Sequence, residues 1–241
     1  MSAPPPQVTL PEAFVLLSHL DSGEVHDLSQ TAAGCAAAEL GELALRRRLR
    51  VVPRKKRRVL GFEVYSEPGE IRLLDTAPTG LDWADRLLEK LELHAAPDGG
   101  AIRVHEWLQL RSREGVFLHR DVLSERGVLR HVPGGRVTRQ RHYPDAALRD
   151  ALLSRLRAVN SGLIPLDEHT LLLLDLLERA ELDLKLTLSM RQRLDRARGV
   201  GAVAALPEDM RDTSTVLRMS VPSRSRGGDG GGGDGGDGGG E

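Results

Sequence analysis

Seven consecutive small residues, Ala32 to Ala38, constrain the fold of this chain more than any other feature. They follow Thr31, a residue suited to cap a helix, and predict a helix that continues to about Arg46. Small side chains let a neighbouring backbone come close, so we expect this helix to be buried at the centre of the fold. The run contains Cys35, the single cysteine, which we predict to be a buried filler that forms no intramolecular disulfide.

The remaining apolar residues are mostly leucine, alanine and valine, and they predict a mainly α, single helical-bundle domain decorated with β-hairpins. Further helices are predicted at 10–20, 81–94, 102–110, 116–125, 144–159, 167–180, 190–198 and 207–219. Alternating polarity predicts that 49–52 and 60–65 pair as one hairpin, that 71–74 is a strand, and that 128–139 is a second hairpin turning at 133–135.

The two ends of the chain differ in composition from its middle. Residues 1–8 are rich in proline and residues 223–241 consist mostly of glycine and aspartate, so we predict disorder in both and a folded domain at 9–222. The N-terminus does not resemble a signal peptide, and no apolar run reaches the roughly 20 residues that span a bilayer. We therefore expect a cytoplasmic protein that meets a membrane peripherally.

The sequence contains no pattern that predicts catalysis. The histidines are scattered without the spacing of zinc ligands, and neither a phosphate-binding loop nor a dinucleotide fingerprint occurs. The acidic residues Asp167 and Glu168 precede a predicted helix, where they suit its dipole. We expect a protein that is not an enzyme and that uses no metal or cofactor.

A cationic run is the strongest local charge feature of a chain whose net charge is only −1. Nine basic residues and no acid occur between Arg46 and Arg58. With the second hairpin, the run predicts a membrane-facing basic patch that comprises Arg46, Arg47, Arg48, Arg54, Lys55, Lys56, Arg57, Arg58, Arg136, Arg139 and Arg141. The same charge also suits nucleic acid or a solvated loop without a partner.

A helix followed by a hairpin is also the pattern of a winged helix, so nucleic-acid binding is an alternative. The helix before the first hairpin consists largely of alanine and glycine, which cannot read base edges. The helix before the second hairpin carries Asp121 and Glu125, which would repel phosphate. These residues disfavour nucleic acid as the partner.

Three segments in fixed order resemble the Golgi phosphoprotein 3 family. They are Glu42-Leu-Ala-Leu-Arg-Arg-Arg-Leu49, Asp75-Thr-Ala-Pro-Thr-Gly80 and Leu123-Ser-Glu-Arg-Gly-Val-Leu129, and the resemblance extends over about 10–205. Eukaryotic members are peripheral membrane proteins that recognise phosphatidylinositol 4-phosphate, and their fold is a helical bundle with hairpins. The prevalence of arginine over lysine is typical of a GC-rich genome and hints at a bacterial member.

The resemblance also implies where a lipid pocket would lie. In the eukaryotic members the pocket uses a tryptophan before the small-residue helix, an arginine on that helix, and two arginines spaced i, i+3 before the third segment. Counting without gaps places these positions at Asp27, Ala36, Arg113 and Val116, and one of the four is an arginine. His26 lies beside the tryptophan position.

Arg113 is therefore the best single candidate for contact with a lipid phosphate. Arg111, His119 and Arg120 lie near enough to take the place of the missing arginine, and Arg111, Arg120 and His26 complete the candidate head-group site with Arg113. The resemblance implies an anionic membrane lipid as the partner, with phosphoinositide the specific case. A protein partner, as for a cytosolic adaptor, and self-association are the alternatives.

Overall fold

The computed structural model describes residues 8–54, 56–59, 62–65, 69–95, 101–135, 140–182 and 201–222. The helices are α1 (Leu10–Ser18), α2 (Leu28–Leu45), α3 (Asp82–His94), α4 (Val104–Arg111), α5 (Glu114–Glu125), α6 (Ala146–Asn160), α7 (Glu168–Arg179) and α8 (Glu208–Ser220), with a 3-10 turn at Gly201–Ala205. The strands are β1 (Leu49–Val52), β2 (Lys56–Val59), β3 (Phe62–Tyr65), β4 (Glu70–Leu73), β5 (Ile102–Arg103), β6 (Leu129–Val132) and β7 (Arg141–Pro144). The predicted mainly α fold with β-hairpins is confirmed, whereas the helix predicted at 190–198 and the ends 1–7 and 223–241 lie outside the described residues.

Helix α2 is the central helix of the bundle, as its run of small residues predicts. It packs against α1, α4, α5, α7 and α8. A β-carbon added to Gly34 would collide with the Phe14 ring, and one added to Gly41 would lie 2.7 Å from a methyl group of Leu10. The glycines therefore bring α1 into close contact with α2. The helix begins earlier than predicted, because Asp27 rather than Thr31 accepts hydrogen bonds from the first free backbone N–H groups.

The predicted pairing of 49–52 with 60–65 is wrong. Strand β1 pairs antiparallel with β4, and β4 pairs with β5, while β2 and β3 form a separate hairpin. The physical reason is burial, because Val51 and Ile71 are register partners that both face the core. Pairing β1 with a strand beyond the intervening hairpin buries both side chains, and local alternation of polarity could not reveal this.

The second hairpin extends further than predicted. Strand β6 pairs with β7, so the return strand begins after the predicted end at residue 139. Strand β7 lies against the turn between α1 and α2, where the His142 backbone N–H donates to the Gly23 carbonyl at 2.9 Å. Gly23 has φ +79°, and a β-carbon there would lie 2.9 Å from the Arg141 β-carbon. The hairpin therefore packs against the turn that leads into α2.

The segment from Glu42 to Leu49 joins α1, α2 and β1. Glu42 accepts a hydrogen bond from the Leu10 backbone N–H at 2.8 Å and another from Arg46 Nε at 2.8 Å. Arg47 adopts a left-handed conformation with φ 59°, and its N–H and that of Arg48 bond back to the last turn of α2. This is a Schellman ending in which arginine stands at the position that favours glycine.

The second and third sequence segments, 75–80 and 123–129, also lie where helices begin or end. Arg48 forms an ion pair with Asp75 and donates to the Pro78 carbonyl at 3.1 Å, which links the first segment to the second. Helix α5 ends at Glu125, and the φ of +70° at Gly127, two residues later, allows the N–H groups of Gly127 and Val128 to bond back to the last turn. Each of the three segments thus has a structural role in this chain.

Candidate anion-binding site

Arg111 belongs to a buried ion cluster that also contains Glu39 and His119. Its Nε and Nη2 atoms each donate to a Glu39 carboxylate oxygen at 2.8 Å, and its Nη1 lies 2.7 Å from Glu114. His119 Nε2 donates to Glu39 at 3.0 Å. The side chains of Glu39 and Arg111 are 0% and 5% exposed, so this cluster joins α2, α4 and α5 inside the protein.

The cluster holds Glu39 and Arg111 in their charged forms. Burial alone would raise the pKa of Glu39, but the hydrogen bonds from Arg111 and His119 outweigh burial and keep that pKa below its usual value. Burial alone would lower the pKa of Arg111, and the bonds to Glu39 raise it instead. The charge of Arg111 is therefore compensated within the protein, which separates it from the other candidate arginines.

Arg113 and Arg120 lie on one face of α5, together with Phe117. The spacing i, i+4, i+7 places the three side chains in a stripe along the helix. Phe117 is 40% exposed, and the Arg120 guanidinium carbon lies 4.8 Å from the centre of its ring. Arg113 is exposed at the N-cap of the helix. We call these three residues the α5 face.

Arg120 also borders a group of imidazoles, His19, His131 and His142, which we call the histidine cluster. The rings of His131 and His142 stack with centroids 4.6 Å apart, and His19 meets His142 edge-on at 6.1 Å. His19 Nδ1 donates to the Val15 carbonyl at 2.8 Å. The end of α1 and the β6–β7 hairpin thus bring together histidines that are far apart in the sequence.

Burial and neighbouring positive charge keep two of these imidazoles neutral near pH 7. Burial lowers the pKa of His142 to about 4, and the charges of Arg120, His131 and His19 act in the same direction. Burial also lowers the pKa of His19, although its bond to Val15 opposes the shift. These two imidazoles therefore add no positive charge beside Arg120 at neutral pH.

His26 lies in the turn that leads from His19 into α2. Its backbone N–H donates to the Ser18 carbonyl at 3.0 Å, and the neighbouring Asp27 caps α2. The structure therefore places Arg113 and Arg120 on one helix face and His26 in the turn next to the histidine cluster. Arg111 lies apart, in the buried ion cluster.

Sequence reasoning missed Phe117 and the histidine cluster. Phe117 could have been found from its place between Arg113 and Arg120 on a predicted helix. His131 lies in the predicted hairpin and His142 lies just beyond its predicted end, and the structure pairs the two residues directly. No local signal connects His19 to them.

Most described members of the predicted basic patch form ion pairs. Arg46 pairs with Glu42, Arg47 with Glu168 and Asp209, Arg48 with Asp75, Arg54 with Glu70, Lys56 with Glu208 and Asp212, and Arg141 with Glu24. Arg57 is exposed on β2, and Arg58 belongs to the same strand. Lys55, Arg136 and Arg139 lie outside the described residues. The acids lower the net charge of this surface, and its contact with a membrane stays a prediction.

Within the described ranges, no helix is long and apolar enough to cross a bilayer. The same ranges contain no group of three or more histidine, cysteine or acidic side chains arranged to hold a metal ion.

The model of the family described as Golgi phosphoprotein 3 (GPP34) matches residues 10–215 of the chain. The match includes all three sequence segments, α1 to α7 and the first part of α8. No curated protein matches the chain.

Proposed function

Because the chain belongs to the Golgi phosphoprotein 3 (GPP34) family, we propose that it is a peripheral membrane protein that binds phosphorylated, anionic lipid head groups through the α5 face. The observation that carries the proposal is the stripe in which two arginines flank an exposed phenylalanine on one helix. Arg113 stands at a position where the family resemblance places a phosphate-binding arginine. The protein would act on the cytoplasmic side of a membrane.

The chemistry of the α5 face suits the boundary between head groups and acyl chains. Guanidinium groups donate paired hydrogen bonds to phosphate oxygens. An aromatic ring between two such groups can enter the apolar edge of the bilayer while the cations stay at the level of the phosphates. The Asp121 carboxylate lies 3.4 Å from the Arg120 guanidinium, but Asp121 is exposed and the contact is weak. The guanidinium can therefore still bind a lipid phosphate.

The buried ion cluster supports this choice of residues. Arg111 already donates to two carboxylates, so a lipid phosphate would have to compete with buried, bidentate bonds. Among the residues that the structure describes, neither Arg113 nor Arg120 has a buried carboxylate partner of this kind. We therefore assign phosphate contact to Arg113 and Arg120 and a structural role to Arg111.

Vesicle co-sedimentation of the full chain tests the proposal. Neutral vesicles, vesicles with phosphatidylserine and vesicles with phosphatidylinositol 4-phosphate at matched surface charge would be compared. The double variant Arg113→Gln, Arg120→Gln should weaken binding to the phosphoinositide vesicles by about thirtyfold, since each basic residue near an anionic surface contributes about 1 kcal/mol. The matched control is Arg72→Gln, Arg155→Gln, which removes the same charge from exposed arginines elsewhere.

The Phe117→Ala variant distinguishes insertion of the aromatic ring into the bilayer from attraction between the arginines and the anionic surface. Loss of the ring should weaken binding by about fivefold, as expected when an aromatic side chain buries part of its surface at about 25 cal/mol per Å². This loss should persist at high salt, whereas the effect of the arginines should shrink. Equal binding of the double variant and the wild type would contradict the proposal. Failure of the wild type to bind any anionic vesicle would also contradict it and would favour a protein partner.

A further inference from the structure

A cavity of about 680 Å³ lies between α3 and one side of α5. Its apolar walls come from Leu81, Leu87, Leu118 and Val122, and the Trp83 ring completes them. This volume is within the range of small-molecule binding sites, which are mostly apolar with a few polar groups that orient the ligand.

Most charged groups at the cavity already have partners inside the protein. Glu12 pairs with Arg126 at 2.8 Å. Glu114 pairs with Lys90 and with Arg111, each at 2.7 Å. The charges in these pairs balance one another. They therefore leave no net charge at the cavity wall to bind a ligand.

Among the described residues that line the cavity, Arg86 and Asp82 are the remaining charged groups. Asp82 stands in the first turn of α3, where the positive end of the helix dipole stabilises its carboxylate. Arg86 is exposed on the same helix and forms no ion pair with any residue that the structure describes. The guanidinium of Arg86 is therefore the group that a ligand's charge would meet.

We propose that this cavity binds a single-chain anionic amphiphile. Its hydrocarbon chain would lie between Trp83 and the leucines, and its carboxylate or phosphate would bind Arg86. The site is separate from the α5 face, because neither Phe117 nor Arg120 lines the cavity. The inference therefore does not depend on the proposed membrane function.

Intrinsic fluorescence provides a direct assay in the full chain. The chain has two tryptophans, Trp83 at the cavity and Trp107, which is buried elsewhere. Decanoate and decyl phosphate would be titrated below their micelle-forming concentrations and decanol below its solubility limit, with calorimetry to confirm a single site. We expect saturable binding of decanoate and decyl phosphate, and about tenfold weaker binding of decanol, which lacks the charge-assisted hydrogen bond.

Two variants locate the ligand. Arg86→Gln should reduce the affinity for decanoate to that for decanol, whereas Arg72→Gln, an exposed arginine on β4, should leave it unchanged. Leu118→Phe should fill part of the cavity and weaken all three ligands, and a thermal melt establishes that it is folded. Absence of saturable binding, or equal affinity for decanoate and decanol in the wild type, would overturn the proposal.

Discussion

Replacement of Arg111 by methionine should destabilise the protein strongly. The substitution removes two 2.8 Å bonds to a Glu39 carboxylate that is 0% exposed, and leaves His119 as the one described side chain that still bonds to it. Removal of one partner from a buried ion pair typically costs about 3–5 kcal/mol because the other charge stays buried. For a domain of this size, such a loss lowers the melting temperature by about 6–20 °C.

Urea denaturation of Arg111→Met and Arg113→Met provides the comparison. Arg113 is exposed, so its loss should change the free energy of unfolding by less than about 0.5 kcal/mol. Adding Glu39→Leu to Arg111→Met should recover part of the loss, because no uncompensated carboxylate is then buried. If Arg111→Met costs less than about 1 kcal/mol, the cluster does not stabilise the fold, and Arg111 returns as a ligand candidate.

Substitutions at three further positions test local features of the structure. Gly34→Ala should lower the free energy of unfolding by about 1–3 kcal/mol, because the new β-carbon would collide with Phe14. Helix propensity alone predicts the opposite, a gain of about 1 kcal/mol, and urea denaturation decides between the two. Arg47→Gly should be about 1 kcal/mol more stable than Arg47→Ala, because both variants lose the same ion pairs but only glycine suits φ 59°. An alanine variant that is equally stable or more stable would contradict the assigned helix ending. Because the pKa of His142 falls from 6.5 in the unfolded chain to about 4 in the fold, the unfolded state binds more protons between these values. The free energy of unfolding should therefore fall by about 2 kcal/mol as the pH drops from 6.5 to 4, and His142→Gln should flatten this dependence in denaturation at several pH values.

The sequence predicted the features that depend on local pattern. Small residues predicted that α2 is central, and the helix predicted at 116–125 ends at Glu125 as predicted. Both depend on neighbours along one helix, so they can be read from spacing and propensity. The helix periodicity likewise predicted the bundle.

The features that the sequence could not predict depend on distant partners. Glu39 lies 72 residues from Arg111, so nothing near Arg111 indicates that its charge is compensated. The same holds for the basic run, where Arg47 pairs with Asp209 across 162 residues. Pairing of β1 with β4 and assembly of the histidine cluster also require the tertiary fold, because separate elements supply their parts.

These distant contacts determine which arginine has a structural role and which arginines are candidates for contact with a ligand. Arg111 stabilises the interior through Glu39, while Arg113 and Arg120 lie beside an exposed ring on the α5 face. Net charge along the sequence does not distinguish these roles, since all three arginines occur within ten residues. Burial and ion-pair partners do distinguish them.

Binding of the wild-type full chain to vesicles at about 0.15 M salt is the most direct test of the proposed function. Vesicles that contain phosphatidylinositol 4-phosphate would be compared with phosphatidylserine vesicles of equal surface charge. We predict stronger binding to the phosphoinositide vesicles, because the phosphate monoester of the inositol ring offers the α5 arginines more acceptor oxygens than the carboxylate of phosphatidylserine does. Equal binding to both, or binding to neither, would contradict recognition of a phosphorylated head group by the α5 face.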